Sequence, residues 1–402
     1  MVTVKEAQKL VLDNTCLLDE TEVGIEDALG LVLSSDVISP VNLPLFTNSA
    51  MDGYAVRSGD TVKANHNSPV CLKVIRTVRA GDFPDFSVTS GEAAKIMTGA
   101  PVPAGADAVV RVEDAAEENG GLILTAAAEK GSNVRLEGEE IGKGETALEG
   151  GVEITPAAVG FLAELGIKRI RVRRAPKVSV IVTGEELVGP DDDIMPGKIR
   201  DTNSVTLKAA LAGERVELVS AARVPDVKSD IEERIKKALG FSDVLIITGG
   251  VSVGDYDFVK DTLGGLGVEK IFWGVSQRPG GPMFFGRCKD TLVFGLPGNP
   301  ASSLVCYYEY VFPALRKMIG KRDIFLHELD ALLLNPINKK PGKMHFLRGV
   351  VSRDGEKVCV RTTGGQGSHI LKSFAEANCL VVVDDDEGFM PENSTVKVHQ
   401  FP

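Results

Sequence analysis

The chain predicts a multidomain α/β protein built on a central doubly wound, mostly parallel sheet. An inserted β domain, an N-terminal helical and extended domain and a C-terminal β-barrel complete it. Three observations carry this expectation. Between residues 176 and 322, β-branched apolar runs alternate with amphipathic segments, as a parallel sheet covered on both faces requires. Residues 46–146 and 323–402 carry short apolar runs broken by Gly, Pro, Asn and Asp, the pattern of small β domains. The length of 402 residues exceeds a single core at roughly 100–200 residues per domain.

The elements follow in order. Thr3 and Glu6 form a T-x-x-E capping box ahead of "AQKLVL", and "IEDALGLVLSSDV" reads as a second short helix. From residue 46 to 146 the runs "CLKVIRTV", "DAVVRVED" and "GLILTA" read as strands. A helix then resumes at "EITPAAVGFLAELGI". Thr155 suits its N-cap, Pro156 its first position and Gly166 the residue beyond its end. Residues 1–45 and 147–175 are thus read as one elongated domain interrupted by the β insertion. Beyond Pro176 come strand "KVSVIVT", helix "SVTLKAALAG", strand "VELVSAARV", helix "DIEERIKKALG", strand "DVLIIT", helix "DFVKDTLGGL", strand "TLVFGL" and helix "ASSLVCYYEYVFPALRKMIG". The runs "DALLLNPI", "KVCVRTT", "NCLVVVDDD" and "STVKVHQF" close the chain as a small β-barrel or sandwich.

Composition narrows the class. Charged residues are 25% and hydrophobic residues 43%, and the longest apolar runs fall far short of the ~18 residues of a spanning helix, so no membrane role is expected. The amino terminus carries charges within its apolar pattern and does not read as a signal peptide, which gives a cytoplasmic expectation. Six cysteines at 16, 71, 288, 306, 359 and 379 form no CxxC pair, so they are expected reduced and mostly buried. A net charge of −11 opposes non-specific nucleic-acid binding and requires any anion to be held locally.

In an open parallel sheet ligands bind beyond the carboxyl ends of the strands. Those ends carry Thr183-Gly184-Glu185-Glu186, Pro225-Asp226, Thr248-Gly249-Gly250-Val251-Ser252 running on to Asp255 and Asp257, and Leu296-Pro297-Gly298-Asn299-Pro300. Any one such loop also serves as a plain turn or a helix cap. Together, the glycine-rich "TGGVSVGDYD" offers backbone N–H groups to an oxyanion, while Glu186, Asp226, Asp255 and Asp257 repel it. A divalent cation held by oxygen ligands reconciles the two, and Mg²⁺ is the expected ion, on a phosphate-bearing ligand. Neither a Walker A motif nor G-x-G-x-x-G is present. The five histidines have no metal-ligand spacing and receive no role.

The motif series "NSAMDGYAV", "KIMTGAPVPAGADAVV", "VRLEGEEIGKGE", "VIVTGEEL", "IRDTNS", "ITGGVSVGDYDFVK", "RPGGPMFFG", "FGLPGNPASS", "FLRGV" and "TGGQGSHIL" resembles that of the MoeA family of molybdopterin molybdenumtransferases, shared with the E domain of gephyrin. The resemblance spans almost the whole chain in order. It implies a MogA/MoaB-like central domain and insertion of molybdate into adenylylated molybdopterin (molybdopterin-AMP), with Mg²⁺ and release of AMP. It also implies a homodimer whose site lies between the α/β domain of one subunit and the inserted β domain of the other. A molybdopterin adenylyltransferase and molybdoenzyme delivery proteins are the further partners it implies.

Carried over residue by residue, the resemblance gives Asp52 and Thr98 a catalytic part from the β domain. Glu186, Asp226, Asp255 and Asp257 hold Mg²⁺, with Asp257, Asp226 and Glu186 also catalytic. Thr183, Gly249, Gly250, Pro297, Gly298, Asn299 and Pro300 line the substrate site, and the helix starting at Pro300 points its N-terminus at negative charge. Ser252, Arg278 with Pro279, Ser302, Arg348 and Ser368 contact oxyanion. Gly274 and Gly281 stand where many members have lysines, so anion binding rests more on Arg278, and tungstate nearly matches molybdate in charge and shape. The alternatives are the related adenylyltransferase, a gephyrin-like receptor scaffold, and a nucleotide-binding regulator of competence-damage-like architecture. The flanking β domains and the "AMDGY", "PGNP" and "GQGSH" motifs favour insertion.

Overall fold

The computed structural model describes residues 1–250 and 258–402. Helix α1 (Val4–Asp13) opens the chain with the expected capping box: the Thr3 hydroxyl accepts from Glu6 N–H and the Glu6 carboxylate accepts from Thr3 N–H. The second expected helix is absent. Ile25–Asp27 forms one 3₁₀ turn, and Gly30 sits at φ +75°, a left-handed conformation that breaks a helix. The apolar residues that follow serve an extended segment instead, with Val32 bridging Glu153 and Leu33 bridging Val172. Strand Glu20–Gly24 likewise pairs antiparallel with Arg169–Arg173, and Val37–Ile38 with Thr146–Leu148. Segments before and after the β insertion are therefore zipped together, with α2 (Pro156–Glu164) packed on them through Ala158 and Leu162. Thr155 caps that helix, and Gly166 at φ +73° ends it.

The inserted region forms a mixed six-stranded sheet in the order 108–111, 53–56, 92–96, 70–78, 121–124, 115–118. Only the pairing of Val70–Val78 with Glu92–Ile96 is parallel; the others are antiparallel.

The central sheet comprises β1 (Lys177–Thr183), β2 (Glu217–Val224), β3 (Val244–Thr248), β4 (Glu269–Trp273), β5 (Phe284–Cys288) and β6 (Thr291–Leu296), in the order β2-β1-β3-β6-β5-β4. The first four in that order are parallel. Strands β5 and β4 extend the edge antiparallel, and no apolar alternation in "KIFWGVSQRPGGPMFFG" announces them. Alternation decides the faces. Val178, Val180 and Val182 face one way, onto α1, α3 (Asn203–Ala212) and the helices after β6, while Ile181 faces α4 (Lys228–Leu239) and α5 (Phe258–Gly265). The expected long helix after β6 is real but divided into α6 (Pro300–Cys306), a π-helical stretch Tyr307–Val311 and α7 (Phe312–Met318). Pro313 explains the division, because it has no N–H to donate to the carbonyl of Glu309.

The C-terminal strands close on themselves. Met344–Asp354, Lys357–Thr362, His327–Leu333, Thr395–Gln400 and Cys379–Val383 pair in sequence, and Cys379–Val383 returns to Met344–Asp354, making a five-stranded barrel. Gln277–Arg278 from the α/β domain adds a further strand to it at Met344–His345. No helix among the described residues is long and apolar enough to cross a membrane. All six cysteines are free, but only Cys306, Cys359 and Cys379 are buried; Cys16 and Cys71 are exposed, contrary to the expectation that most are covered.

Candidate functional site

Strand β1 has β2 on one side and β3 on the other, so the helices after β1 and β3 leave the sheet in opposite directions and open a crevice at the strand ends. A cavity of about 760 Å³ lies there. Thr183 and Glu186 reach it from β1, Asp226 from β2, Thr248, Gly249 and Gly250 from β3, and Pro297–Pro300 from β6. The expected strand-end set thus converges largely on one cavity; Glu185, Pro225 and Leu296 do not line it, and Val251, Ser252, Asp255 and Asp257 lie outside the described residues.

Glycine makes this convergence possible at two points. Gly249 has φ +86°, and a Cβ there would lie 2.5 Å from the Thr183 carbonyl oxygen. A Cβ on Gly184 would lie 2.9 and 3.0 Å from the Glu186 carboxylate oxygens, so the missing side chain leaves room for that carboxylate. Asp226 accepts from Glu185 N–H at 3.3 Å, which holds the loops after β1 and β2 together.

Of the lining residues that were not anticipated, four bear on the chemistry of the wall. Arg200 donates to the carbonyls of Gly189, Pro190 and Asp192 and so ties together the loop between β1 and α3. Asp201 is buried and accepts from Ser204 N–H at 3.0 Å. Asn203 donates to Gly298 O at 2.8 Å and Thr248 Oγ1 at 3.3 Å, joining the ends of β3 and β6. His369 arrives from the barrel. The motif "IRDTNS" contained the first three without indicating their use, and nothing in the spacing of the histidines marked the fourth.

Glu186 and Asp226 offer carboxylate oxygens to the same space, and no group of three or more His, Cys, Asp or Glu gathers among the described residues. Two carboxylates with room for waters suit Mg²⁺, which keeps much of its hydration shell, better than an ion that needs a full protein cage.

The remaining predicted residues do not line this cavity. Asp52 and Thr98 are exposed on the β domain and bonded to each other: Asp52 Oδ1 accepts from Thr98 N at 2.7 Å and from Thr98 Oγ1 at 2.8 Å. The Thr98 backbone N–H, then its hydroxyl, hold the Asp52 pKa below the ordinary carboxylate value. Ser302 is buried within α6 rather than lining the cavity. The N-terminus of α6 is tied to the barrel instead of standing free, since Asn299 Nδ2 donates to Ser368 Oγ at 3.1 Å and Ala301 N–H to Ser368 O at 3.1 Å. Arg278 is exposed at the junction with the barrel, and Pro279 behind it is buried, its carbonyl accepting from Gln277 Nε2 at 2.9 Å. A side chain at Gly274 or Gly281 would be crowded: a Cβ on Gly274, at φ +86°, would meet Met1 Cγ at 3.0 Å, and one on Gly281 would meet Gln277 O at 3.2 Å.

Arg348 is fully buried in the barrel. Its Nε donates to Ser373 Oγ at 3.1 Å, and its Nη2 to the carbonyls of Gly365 at 3.2 Å and Gly367 at 3.0 Å. Its Nη1 is buried with no partner among the described residues. Burial pulls the guanidinium pKa down to about 10, so it remains charged at neutral pH without a carboxylate beside it. One donor of this buried cation is thus left over among the described residues.

Comparison with known proteins agrees with this architecture. Residues 2–166 match the MoeA N-terminal region (domain I and II), 179–317 a probable molybdopterin binding domain, and 330–401 the MoeA C-terminal region (domain IV). The chain is 34% identical to a molybdopterin molybdenumtransferase of Haemophilus influenzae, covering 100% of this chain and 99% of that one. It is 36% identical to molybdopterin molybdenumtransferase 2 of Mycobacterium tuberculosis, over 96% of each. The crystal structure of a molybdopterin biosynthesis MoeA protein from Pyrococcus horikoshii superposes over the full length of both chains with a TM-score of 0.88 at 31% identity.

Proposed function

This chain belongs to the MoeA family and acts as a molybdopterin molybdenumtransferase in molybdenum cofactor biosynthesis, and we propose that it inserts molybdate, or tungstate, into adenylylated molybdopterin with Mg²⁺-dependent release of AMP. The observation that carries the reading is the strand-end cavity, which sets Glu186 and Asp226 beside the bare backbone of Gly249, Gly250 and Gly298.

Glu186 and Asp226, with Asp255 and Asp257, hold the cation, which when bound would polarise the phosphoanhydride. The chain's own residues position and shield. Gly249 and Gly298 let the backbone approach the substrate closely, Asn203 locks the two loops that carry them, and Arg200 holds the loop before α3 together. Arg348, with its unpartnered Nη1, is the seat of the oxyanion, and Arg278 and Ser368 stand near it at the barrel junction. In the proposed homodimer Asp52 and Thr98 of one subunit complete the site of the other, since within one chain they lie outside the cavity.

The test supplies adenylylated molybdopterin and Mg²⁺, with molybdate and tungstate in separate reactions, and follows AMP. AMP release that needs both the cation and an oxyanion is expected. Pyrophosphate released from ATP and molybdopterin without oxyanion would instead identify an adenylyltransferase.

A further inference from the structure

The cavity is lined by the carboxylates of Glu186, Asp201 and Asp226 and, among the described residues, by two side chains able to carry positive charge, Arg200 and His369. An anionic substrate among three carboxylates needs a counter-charge or a strong donor at the wall as well as a cation. Arg200 lies with its Nη1 against three backbone carbonyls of its own loop. Asn203 has given both amide N–H groups to the protein and Asn299 one of its two. Among the described residues His369 has no hydrogen-bond or ion-pair partner, and its side chain is exposed to the cavity.

Its support is as fixed as its ring is free. The preceding residue, Ser368, is tied to the cavity wall at Asn299 through its hydroxyl and at Ala301 through its carbonyl. Arg348 grips the carbonyls of Gly365 and Gly367 from inside the barrel. The ring lies back over Gly367, where a Cβ would come within 3.0 Å of Cε1 and 3.3 Å of Nδ1, so a larger residue there would crowd the imidazole. A side chain held by such a rigid support and left without a partner is pre-organised for a ligand.

We propose that His369 is a substrate-binding residue, donating a ring N–H hydrogen bond to a phosphate oxygen of the substrate in the strand-end cavity. The inference rests on the proposed use of that cavity for adenylylated molybdopterin. It also gives the barrel a part in the site of its own subunit, because docking of the barrel loop sets where the imidazole stands.

The experiment measures the Kd of adenylylated molybdopterin without oxyanion, and kcat and KM for AMP release with molybdate and Mg²⁺. The proteins are wild type, His369→Ala, His369→Gln and His369→Phe, with melting temperatures checked alongside. Alanine should weaken binding ~10-fold or more, as loss of one hydrogen bond to a charged group predicts. Glutamine, which keeps an N–H donor, should recover most of the affinity, and phenylalanine, which keeps only an aromatic face, should not. Recovery by phenylalanine but not glutamine would make the ring a stacking platform and overturn the proposal, as would an alanine variant that binds like wild type. If the wild type itself neither binds nor converts adenylylated molybdopterin, it is the reading of the cavity that fails.

Discussion

Replacing Arg348 by methionine separates an anion seat from a structural arginine. The charge is costly where it stands: burial lowers its pKa from 12.5 to about 10, which corresponds to roughly 3 kcal/mol against the charged form. Because the folded pKa of this base is depressed, the penalty is present in full at neutral pH and is relieved only as pH rises through that value toward the unfolded one. Against it stand three hydrogen bonds from the charged group, to Ser373, Gly365 and Gly367, contributing about 1.5 kcal/mol each at the low end. The two sums largely cancel, and methionine fills much of the volume. R348M should therefore unfold in urea within about 2 kcal/mol of wild type. Its response to oxyanion should differ sharply. Molybdate at about ten times its Kd should stabilise wild type by about 1.4 kcal/mol and R348M not at all, and molybdate-dependent AMP release should fall at least ~100-fold. Equal stabilisation of both proteins by molybdate, or AMP release from R348M at the wild-type rate, would refute the assignment.

Gly249→Ala should lose at least about 2 kcal/mol in urea unfolding, since φ +86° and a Cβ 2.5 Å from Thr183 O both oppose it; a loss below half that would show that the β3 loop readily relaxes. Asp52→Ala should melt like wild type, the residue being exposed, yet fail to release AMP. Co-refolded with inactive Glu186→Gln in equal amounts, it should regain about a quarter of wild-type activity, because half the dimers then carry one intact composite site; no recovery would place Asp52 outside a shared site. Burial opposes the charge on His399, but the Glu309 hydrogen bond and the charges of Glu309 and Glu328 outweigh it and raise its pKa. That stabilisation is complete below the unfolded value of about 6.5 and is lost as pH rises through the folded one. Urea unfolding of His399→Gln should thus show its largest deficit near about pH 6 and little by about pH 9, and an equal deficit at both would exclude titration as its cause.

The alternation of "KVSVIVT", "DVLIIT" and "TLVFGL" with amphipathic segments was enough to read the parallel half of the central sheet, because a strand covered on both faces must be apolar throughout. It did not reveal β4 and β5, whose aromatic residues flank a Gly-Pro stretch that reads as a loop. It also misled at "IEDALGLVLSSDV", where Gly30 in the left-handed region turns an apparent helix into an extended segment that pairs with chain more than a hundred residues away. The strand-end residues were legible since topology puts strand ends at one edge. The roles of Asn203, Arg200 and His369 were not, because each depends on which loop lies opposite.

From local chemistry alone the sequence determined the capping box at Thr3, the start of α2 at Pro156, the apolar strands and the glycines and carboxylates that follow them, since each is a matter of neighbours along the chain. Only tertiary structure decided that Gly249 would lie against Thr183, that Arg348 would be buried with a free Nη1, that Ser368 would bind Asn299, and that a histidine from the barrel would enter the α/β cavity. Those contacts join residues from separate domains, and the packing of one domain on another leaves no period or spacing in the sequence by which to find it.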